Sequence, residues 1–169
     1  MGAAWSIPGK LLLLRWEIRM IVWCDKPELR ITSDIEPSTT VQKVLPSDSE
    51  LIKKDKKRKP YLNKRRVLFT IDYLGTQYCI LVHKGYCWDG ASIPFGFRWL
   101  IGAKGSPEFL NASMIHDKMC ENHELVGNDR QLSSMIFREL LIASGVGKVR
   151  AQTMYLAVDN FQRFCGWGK

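Results

Sequence analysis

The sequence predicts an α+β fold in which a small antiparallel sheet from the N-terminal half packs against three C-terminal helices. Two observations support this prediction. Strand-like runs of β-branched and aromatic residues lie before residue 84, and three helical patterns follow residue 106. A chain of 169 residues with 46% hydrophobic content can bury a core without cross-links. We therefore expect a single domain over residues 1–169.

The strands are predicted from alternation and composition. Residues 15–20 alternate polar and apolar side chains, as in a half-exposed strand, and residues 28–32 form a second short candidate. Residues 67–73 and 77–83 are rich in β-branched and aromatic side chains, and the Leu-Gly-Thr between them suits a hairpin connection. These segments predict the antiparallel sheet.

The stretch over residues 33–66 interrupts this pattern. It is poor in apolar residues, contains proline, serine and threonine, and ends in a basic run. We expect it to be an excursion from the domain that is mobile or is ordered by a partner. The basic side chains of the run are Lys53, Lys54, Lys56, Lys57, Arg58, Lys59, Lys64, Arg65 and Arg66.

This basic run accounts for the net charge of the chain, which is +8. One acidic residue, Asp55, lies among the nine basic ones, whereas the remaining residues hold equal numbers of basic and acidic side chains. A local positive charge can neutralise nucleic-acid phosphates or bind an acidic protein surface, and it is equally compatible with a solvated loop. The neutral remainder weighs against nucleic-acid binding over the whole surface.

Three helices are predicted in the second half. Ser106 followed by proline is a typical helix start, and this helix extends to about residue 122. Asn128 or Asp129 caps a second helix, which glycines after residue 144 end. The third covers about residues 148–164, and Met154, Val158 and Phe161 form its apolar stripe. The three apolar faces predict one shared core.

Cysteines and apolar runs exclude several classes of protein. The five cysteines form no Cys-x-x-Cys pair, which argues against a zinc ribbon or a disulfide framework and indicates a reducing compartment. Purely apolar runs are too short to span a membrane, and the start lacks the pattern of a signal peptide. We expect no transmembrane segment.

The candidate site combines a turn that carries Asp89 with a helix that carries His116 and Asp117. Carboxylates and turn carbonyls are ligands for calcium, and a neutral imidazole beside the ion could deprotonate water. Adjacent helical residues project about 100° apart, so His116 and Asp117 would face different sides of a cleft. A structural interpretation stays open, in which His116 is a hydrogen-bonded core residue and Asp89 forms the turn.

The region over residues 85–164 resembles a family of unknown function found in phages, prophages and bacteria. The segments that carry the resemblance are Asp89-Gly90-Ala91-Ser92-Ile93-Pro94, Ile115-His116-Asp117, Arg130 and Met154-Tyr155-Leu156-Ala157-Val158. The turn and the His-Asp helix together are more specific than either alone. The layout is also similar, more remotely, to the prokaryotic secreted phospholipase A(2) enzymes, which are calcium-dependent lipid hydrolases.

This second resemblance implies roles for individual residues. Asp89 and Asp117 would bind calcium together with loop carbonyls such as that of Gly90, and the ion would stabilise the oxyanion. His116 would be the general base for water, and Tyr155 would support its far side.

The sequence departs from the family pattern on the second helix, where Ser134 takes the place of an expected aspartate. A buried carboxylate orients an imidazole and stabilises its protonated form, and its loss can lower a rate by several orders of magnitude. Serine cannot supply that charge. We interpret the site as one that kept its metal-binding turn and lost catalytic power.

These observations favour a phage or prophage accessory protein that acts by assembly, as a virion or tail component whose partners are other phage structural proteins. Such a protein would be made in the bacterial cytoplasm and incorporated into the virion. The alternative is an active calcium-dependent esterase that acts on lipid during host entry or release. A third hypothesis is an accessory protein that contacts nucleic acid through residues 52–66.

Overall fold

The computed structural model describes residues 20–23, 28–34, 41–43, 59–90, 107–165 and 167. Within these residues it has seven strands, three α-helices and one 3-10 helix, so the α+β prediction is confirmed. The strands are β1 (Met20–Trp23), β2 (Leu29–Ser33), β3 (Val41–Lys43), β4 (Tyr61–Asn63), β5 (Val67–Tyr73), β6 (Thr76–Val82) and β7 (Cys87–Trp88). The helices are α1 (Pro107–Glu121), the 3-10 helix His123–Val126, α2 (Arg130–Ala143) and α3 (Lys148–Cys165).

A four-stranded antiparallel sheet has the strand order β1-β2-β5-β6. Its central strands alternate buried and less buried residues, because successive side chains point to opposite faces. Ile31 lies opposite Ile71, and both side chains are completely buried. This face is one half of the core. The predicted strand over residues 28–32 is β2, whereas the alternating residues 15–19 lie outside the described part of the chain.

The β5–β6 hairpin is present as predicted, but its connection is shorter. Tyr73 pairs with Thr76, so only Leu74 and Gly75 form the turn. Their φ angles are 49° and 79°, as in a two-residue turn with both central residues in the left-handed region. Glycine adopts this conformation without strain, whereas leucine pays a steric cost.

A second sheet of three strands, ordered β3-β4-β7, was not predicted. Its strands are short, and two of them lie within the range interpreted as an excursion. Tyr61 of β4 pairs with Trp88 of β7, and this places Lys59, just before β4, near Asp89, just after β7. Residues 35–40 and 44–58 lie outside the described residues, so mobility of that part stays a prediction.

The helices form the other half of the core. The side chain of Asp129 accepts a hydrogen bond from the backbone N–H of Leu132 at 2.9 Å, and this cap begins α2 where the sequence predicted it. Gly145, with φ of 94°, follows the end of α2. α2 packs against both α1 and α3. Among the described residues, no helix combines the length and apolar character needed to cross a membrane.

One predicted stripe requires a correction. Met154 and Val158 of α3 are buried, but Phe161 is 47% exposed and Gln162 occupies the buried position instead. Residues 154, 158 and 162 follow one another at i, i+4 spacing and therefore lie on one face of the helix. The prediction instead selected Phe161, three residues after Val158, because phenylalanine is apolar. Gln162 can be buried at this position because its amide contacts the polar side chains of Ser134 and His116.

Candidate functional site

A pocket of about 630 Å³ lies between α1, α3 and the ends of β4 and β7. It contains the loop and helix residues that the sequence analysis selected. Its lining residues are Lys59, Asp89, His116, Asp117, Cys120, Glu121, Val158, Phe161 and Gln162. Most of the lining residues carry a polar or charged group, but most of the surface that faces the pocket is apolar, and the side chains of Val158 and Phe161 contribute to it.

Asp89 and Asp117 are in direct contact in this pocket. Burial raises the pKa of Asp117 well above its ordinary value, and the negative charge of Asp89, a hydrogen bond with that carboxylate and the charge of Glu121 raise it further. The positive charge of Lys59 acts in the opposite direction. Two acids in contact share a proton readily, so the protonated Asp117 carboxyl donates to Asp89.

Among the described residues of the basic run, which are Lys59, Lys64, Arg65 and Arg66, Lys59 lines the pocket. Its Nζ lies 2.9 Å from Oε1 of Glu121, which follows Asp117 by one helical turn. Both side chains are about 40% exposed, so this ion pair is screened by water and contributes little to stability. The pairing of β4 with β7 places Lys59 at the pocket, and the ion pair then links the segment before β4 to the end of α1.

Glu121 also affects an aromatic residue behind the pocket. Burial raises the pKa of Tyr86, and the negative charges of Glu121 and Asp117 raise it further. The Tyr86 ring stacks on Trp88 with 6.1 Å between centroids, and Lys118 Nζ lies 5.4 Å from its centroid. Tyr86 therefore stays neutral at physiological pH and packs between β7 and α1.

His116 is 9% exposed, and its ring is held from several sides. Nε2 of the ring lies 2.9 Å from Nε2 of Gln162, and Nδ1 lies 3.9 Å from Oδ1 of Asp117. The Phe137 ring packs against it with 5.0 Å between centroids. Sγ of Cys120 lies 3.7 Å and 3.8 Å from the two ring nitrogens. The imidazole is thus buried among neutral groups on one side and faces the acids on the other.

Ser134 does not contact His116 directly in the structure's hydrogen-bond network. Its hydroxyl lies 3.1 Å from Oε1 of Gln162 and 3.2 Å from the carbonyl oxygen of Arg130. Gln162 therefore bridges Ser134 and His116 from the third helix. Gln162 was not among the predicted site residues, and the signal in the sequence was a polar residue at the i+4 position of an otherwise apolar row.

Tyr155 is outside the lining of the described pocket. It lies on α3 near the ion pair between Arg130 and Asp159, which joins α2 to α3. Burial and then the charge of Asp159 raise the pKa of Tyr155, whereas Arg130 and Arg138 lower it. The structure thus separates Tyr155 from the residues that line the pocket with His116.

The other predicted site residues divide into two groups. Gly90 is buried with φ of 86°, a conformation that favours glycine directly after Asp89. Lys64, Arg65 and Arg66 lie between β4 and β5, and the last two are exposed. The residues outside the described part of the chain are 91–106 of the loop and Lys53, Lys54, Lys56, Lys57 and Arg58 of the basic run.

The donor set around Asp89 suits a hard cation in part. Two carboxyl groups in contact fit calcium, because a cation can take the place of the proton that they share. Among the residues that the structure describes, no group of three or more His, Cys, Asp or Glu side chains is arranged to hold a metal ion. Any further oxygen ligands would come from carbonyl groups near Gly90 or from water.

Comparison with known proteins gives relatives whose functions are uncharacterised. The uncharacterized protein y4iH of Sinorhizobium fredii is 30% identical over 73 residues, which cover 43% of this chain and 29% of the relative. The uncharacterized protein y4jT of the same organism is 37% identical over 73 residues, which cover 43% of this chain and 21% of the relative. The matched region thus spans less than a third of each relative's length. No solved structure matches this chain.

A protein-family comparison matches residues 66–158, which include the β5–β6 hairpin, the Asp89 turn, α1, α2 and most of α3. The expectation of an uncharacterised family is therefore confirmed. The matched range covers more than half of the chain, and the chain belongs to the family described as "Protein of unknown function (DUF1353)".

Proposed function

We propose that this chain is an accessory protein that acts by binding other proteins, as a virion or tail component of a phage or prophage. The observation that carries the proposal is an exposed apolar row on α3. Val149 and Phe164 are each 83% exposed, and Leu156 is 49% exposed. Such a row marks an interaction surface more often than an isolated exposed side chain does.

The spacing of these residues places them on one side of the helix. Val149 and Leu156 are seven residues apart, and Phe164 follows eight residues later, so all three lie within about a quarter of the circumference. Four of the five large hydrophobic side chains that are exposed among the described residues belong to α3. Helical propensity does not require apolar residues there, since polar helix formers serve an exposed face equally well.

The pocket also favours binding over efficient catalysis. On the side of α2 and α3, the imidazole of His116 contacts the amide of Gln162, which in turn contacts the hydroxyl of Ser134. Both of these groups are neutral. A neutral amide cannot stabilise an imidazolium as a carboxylate does. The proposed phage origin of the chain rests on the sequence resemblance. The exposed apolar row on α3 supports the proposal that the chain binds other proteins.

The proposal is tested in the strain that encodes the chain, by deleting its coding sequence and complementing with variants. We expect purified phage particles to contain the chain, and the deletion to lower particle yield. His116→Ala should restore the yield, whereas Phe164→Glu combined with Leu156→Glu should not. Complete particles without the chain, or full complementation by the α3 variant when it is folded, would contradict the proposal.

A second candidate function is a calcium-dependent esterase that acts on lipid. It is favoured by the meeting of His116, Asp89 and Asp117 in one pocket with an apolar side at Val158 and Phe161. Asp89 and Asp117 would hold the calcium ion, which would supply charge stabilisation to an ester carbonyl. His116 would orient or deprotonate water, and the apolar side chains would contact acyl chains.

The esterase candidate requires hydrolysis of phospholipid vesicles that depends on calcium and on His116. We expect calcium to raise the melting temperature of the wild type and not that of Asp89→Asn/Asp117→Asn, if this candidate is correct. Turnover in His116→Ala equal to that of the wild type would exclude it, and so would a wild type that neither binds calcium nor hydrolyses the vesicles.

A further inference from the structure

The amide of Gln162 bridges two buried groups from different helices, Ser134 on α2 and His116 on α1. We propose that Gln162 is a positioning residue whose amide orientation sets the tautomer of His116, and that Ser134 permits this orientation. The proposal concerns the chemical state of the pocket and does not rest on either function proposed above. It follows from counting donors and acceptors.

The nitrogen of the Gln162 amide can only donate a hydrogen bond. It lies 2.9 Å from Nε2 of His116 and 3.1 Å from Sγ of Cys120. Nε2 of the ring must then be the acceptor, because two donors would repel each other. The hydrogen of the neutral ring is therefore on Nδ1, the nitrogen that faces Asp117 across 3.9 Å.

The oxygen of the Gln162 amide can only accept a hydrogen bond. It lies 3.1 Å from the hydroxyl of Ser134, which is completely buried. A hydroxyl can donate to this oxygen, so serine satisfies the orientation in which the amide nitrogen faces His116. An ionised carboxylate at position 134 could only accept. It would require the amide to turn round, so that the nitrogen faces residue 134 and the oxygen faces His116.

The tautomer of the His116 imidazole depends on which way this amide is turned. With the amide oxygen beside it, Nε2 would have to donate, and the hydrogen would move from Nδ1 to Nε2. In the observed arrangement the lone pair of Nε2 is occupied by Gln162 and is not available to a water molecule in the pocket. Gln162 thus holds the His116 ring in place, packed on Phe137 at 5.0 Å between centroids, with a tautomer that is unsuited to a base acting through Nε2.

The test is the tautomer of His116, read from long-range proton–nitrogen NMR spectra of the ¹⁵N-labelled full chain. The spectra are recorded at a single pH of about 8, above the ordinary histidine pKa of about 6.5. The chain has three histidines, and His116→Gln identifies the signals of interest. We expect the wild type to carry its hydrogen on Nδ1, with Nε2 unprotonated.

Two variants should move the hydrogen, and one should not. Ser134→Asp is expected to protonate Nε2, because the carboxylate turns the amide round. Gln162→Glu is expected to do the same directly, since a carboxylate beside Nε2 accepts from it. Ser134→Ala is the matched control, in which the amide keeps its contacts with His116 and Cys120 and the hydrogen stays on Nδ1.

A wild type with its hydrogen on Nε2 would overturn the proposal. It would also be overturned by an unprotonated Nε2 in a folded Gln162→Glu protein. A buried aspartate at position 134 could prevent folding of Ser134→Asp. Gln162 lines the pocket, so Gln162→Glu still tests the proposal in that case. A merely structural role for Gln162 predicts the same tautomer in all folded variants.

Discussion

Asp117 shows how the pocket changes the chemistry of a single side chain. Its carboxyl group is on α1, but the group that perturbs it most specifically, Asp89, arrives from the end of β7. Burial disfavours its charge, and the neighbouring acids add repulsion. Of the groups that shift the pKa of Asp117, Lys59 is the one that lowers it, and this lysine forms an ion pair with Glu121. A neutral Asp117 at acidic pH is the consequence.

The raised pKa of Asp117 predicts a pH dependence of stability. The folded state holds this proton more tightly than the unfolded chain, so the free energy of unfolding falls as pH rises from the ordinary aspartate pKa of about 3.9 through the raised value. Asp117→Asn does not titrate and keeps a donor toward Asp89. We expect its stability relative to the wild type to increase with pH across this range, measured by urea denaturation at a series of pH values.

Glu124→Gln provides the control for this measurement, because Glu124 is an exposed acid that belongs to the 3-10 helix after α1. Its stability relative to the wild type should lack the increase seen for Asp117→Asn. A difference between Asp117→Asn and the wild type that stays constant with pH would show that contact with Asp89 does not favour the protonated acid.

The β5–β6 hairpin shows how one element tolerates an unfavourable residue. Leu74 has φ of 49° and is 68% exposed, so it combines backbone strain with an apolar side chain in water. The strands on either side of the turn fix its length through their register, from Val67–Val82 to Tyr73–Thr76. Pairing and burial of the strands therefore override the preference of the turn residue.

Leu74→Asn is expected to stabilise the protein by about 0.5–1 kcal/mol, because asparagine adopts the left-handed conformation more readily and Asn-Gly favours this turn. The measurement is the urea denaturation midpoint at an unchanged slope. Leu74→Ala separates the two contributions, since it removes the exposed apolar group and retains the backbone strain. Equal stability gains in both variants would assign the effect to the side chain and contradict the turn argument.

At the scale of the whole molecule, Trp88 joins the small sheet to the helices. Its indole is completely buried, contacts Tyr61 and Tyr86, and donates a hydrogen bond from Nε1 to Oγ of Ser113 at 3.1 Å. Ser113 is on α1, one turn before His116 and Asp117. This contact therefore fixes the distance between the residue before Asp89 and the helix that carries the other acid.

Ser113→Ala should destabilise the protein by about 1–3 kcal/mol, because the buried indole N–H loses its acceptor. The same substitution in a Trp88→Phe background should cost less, and the difference measures the coupling between the two residues. Ser144→Ala is the matched control. Its hydroxyl donates to the Leu140 carbonyl at 2.8 Å, and we expect a change within about 0.5 kcal/mol. If the effects of Ser113→Ala and Trp88→Phe on the free energy of unfolding were additive, the hydrogen bond between these two residues would not contribute to stability.

Much of this fold could be predicted, because its signals are local. The hairpin, the cap at Asp129 and the three helices follow from periodicity and from residues within a few positions of each end. The second sheet could not be predicted in the same way. Its strands Val41–Lys43, Tyr61–Asn63 and Cys87–Trp88 are too short for a periodic signal and come from distant parts of the chain.

The sequence by itself determined the α+β class, the positions of the helices, and the choice of Asp89, His116 and Asp117 as residues to examine. The tertiary structure alone decided which groups surround them. Lys59 reaches the pocket through pairing of β4 with β7, and Gln162 reaches His116 because α3 packs beside the other helices. Hydrogen bonds and charge effects depend on distances between atoms, and residues 46 positions apart in sequence acquire a fixed distance only when the chain packs.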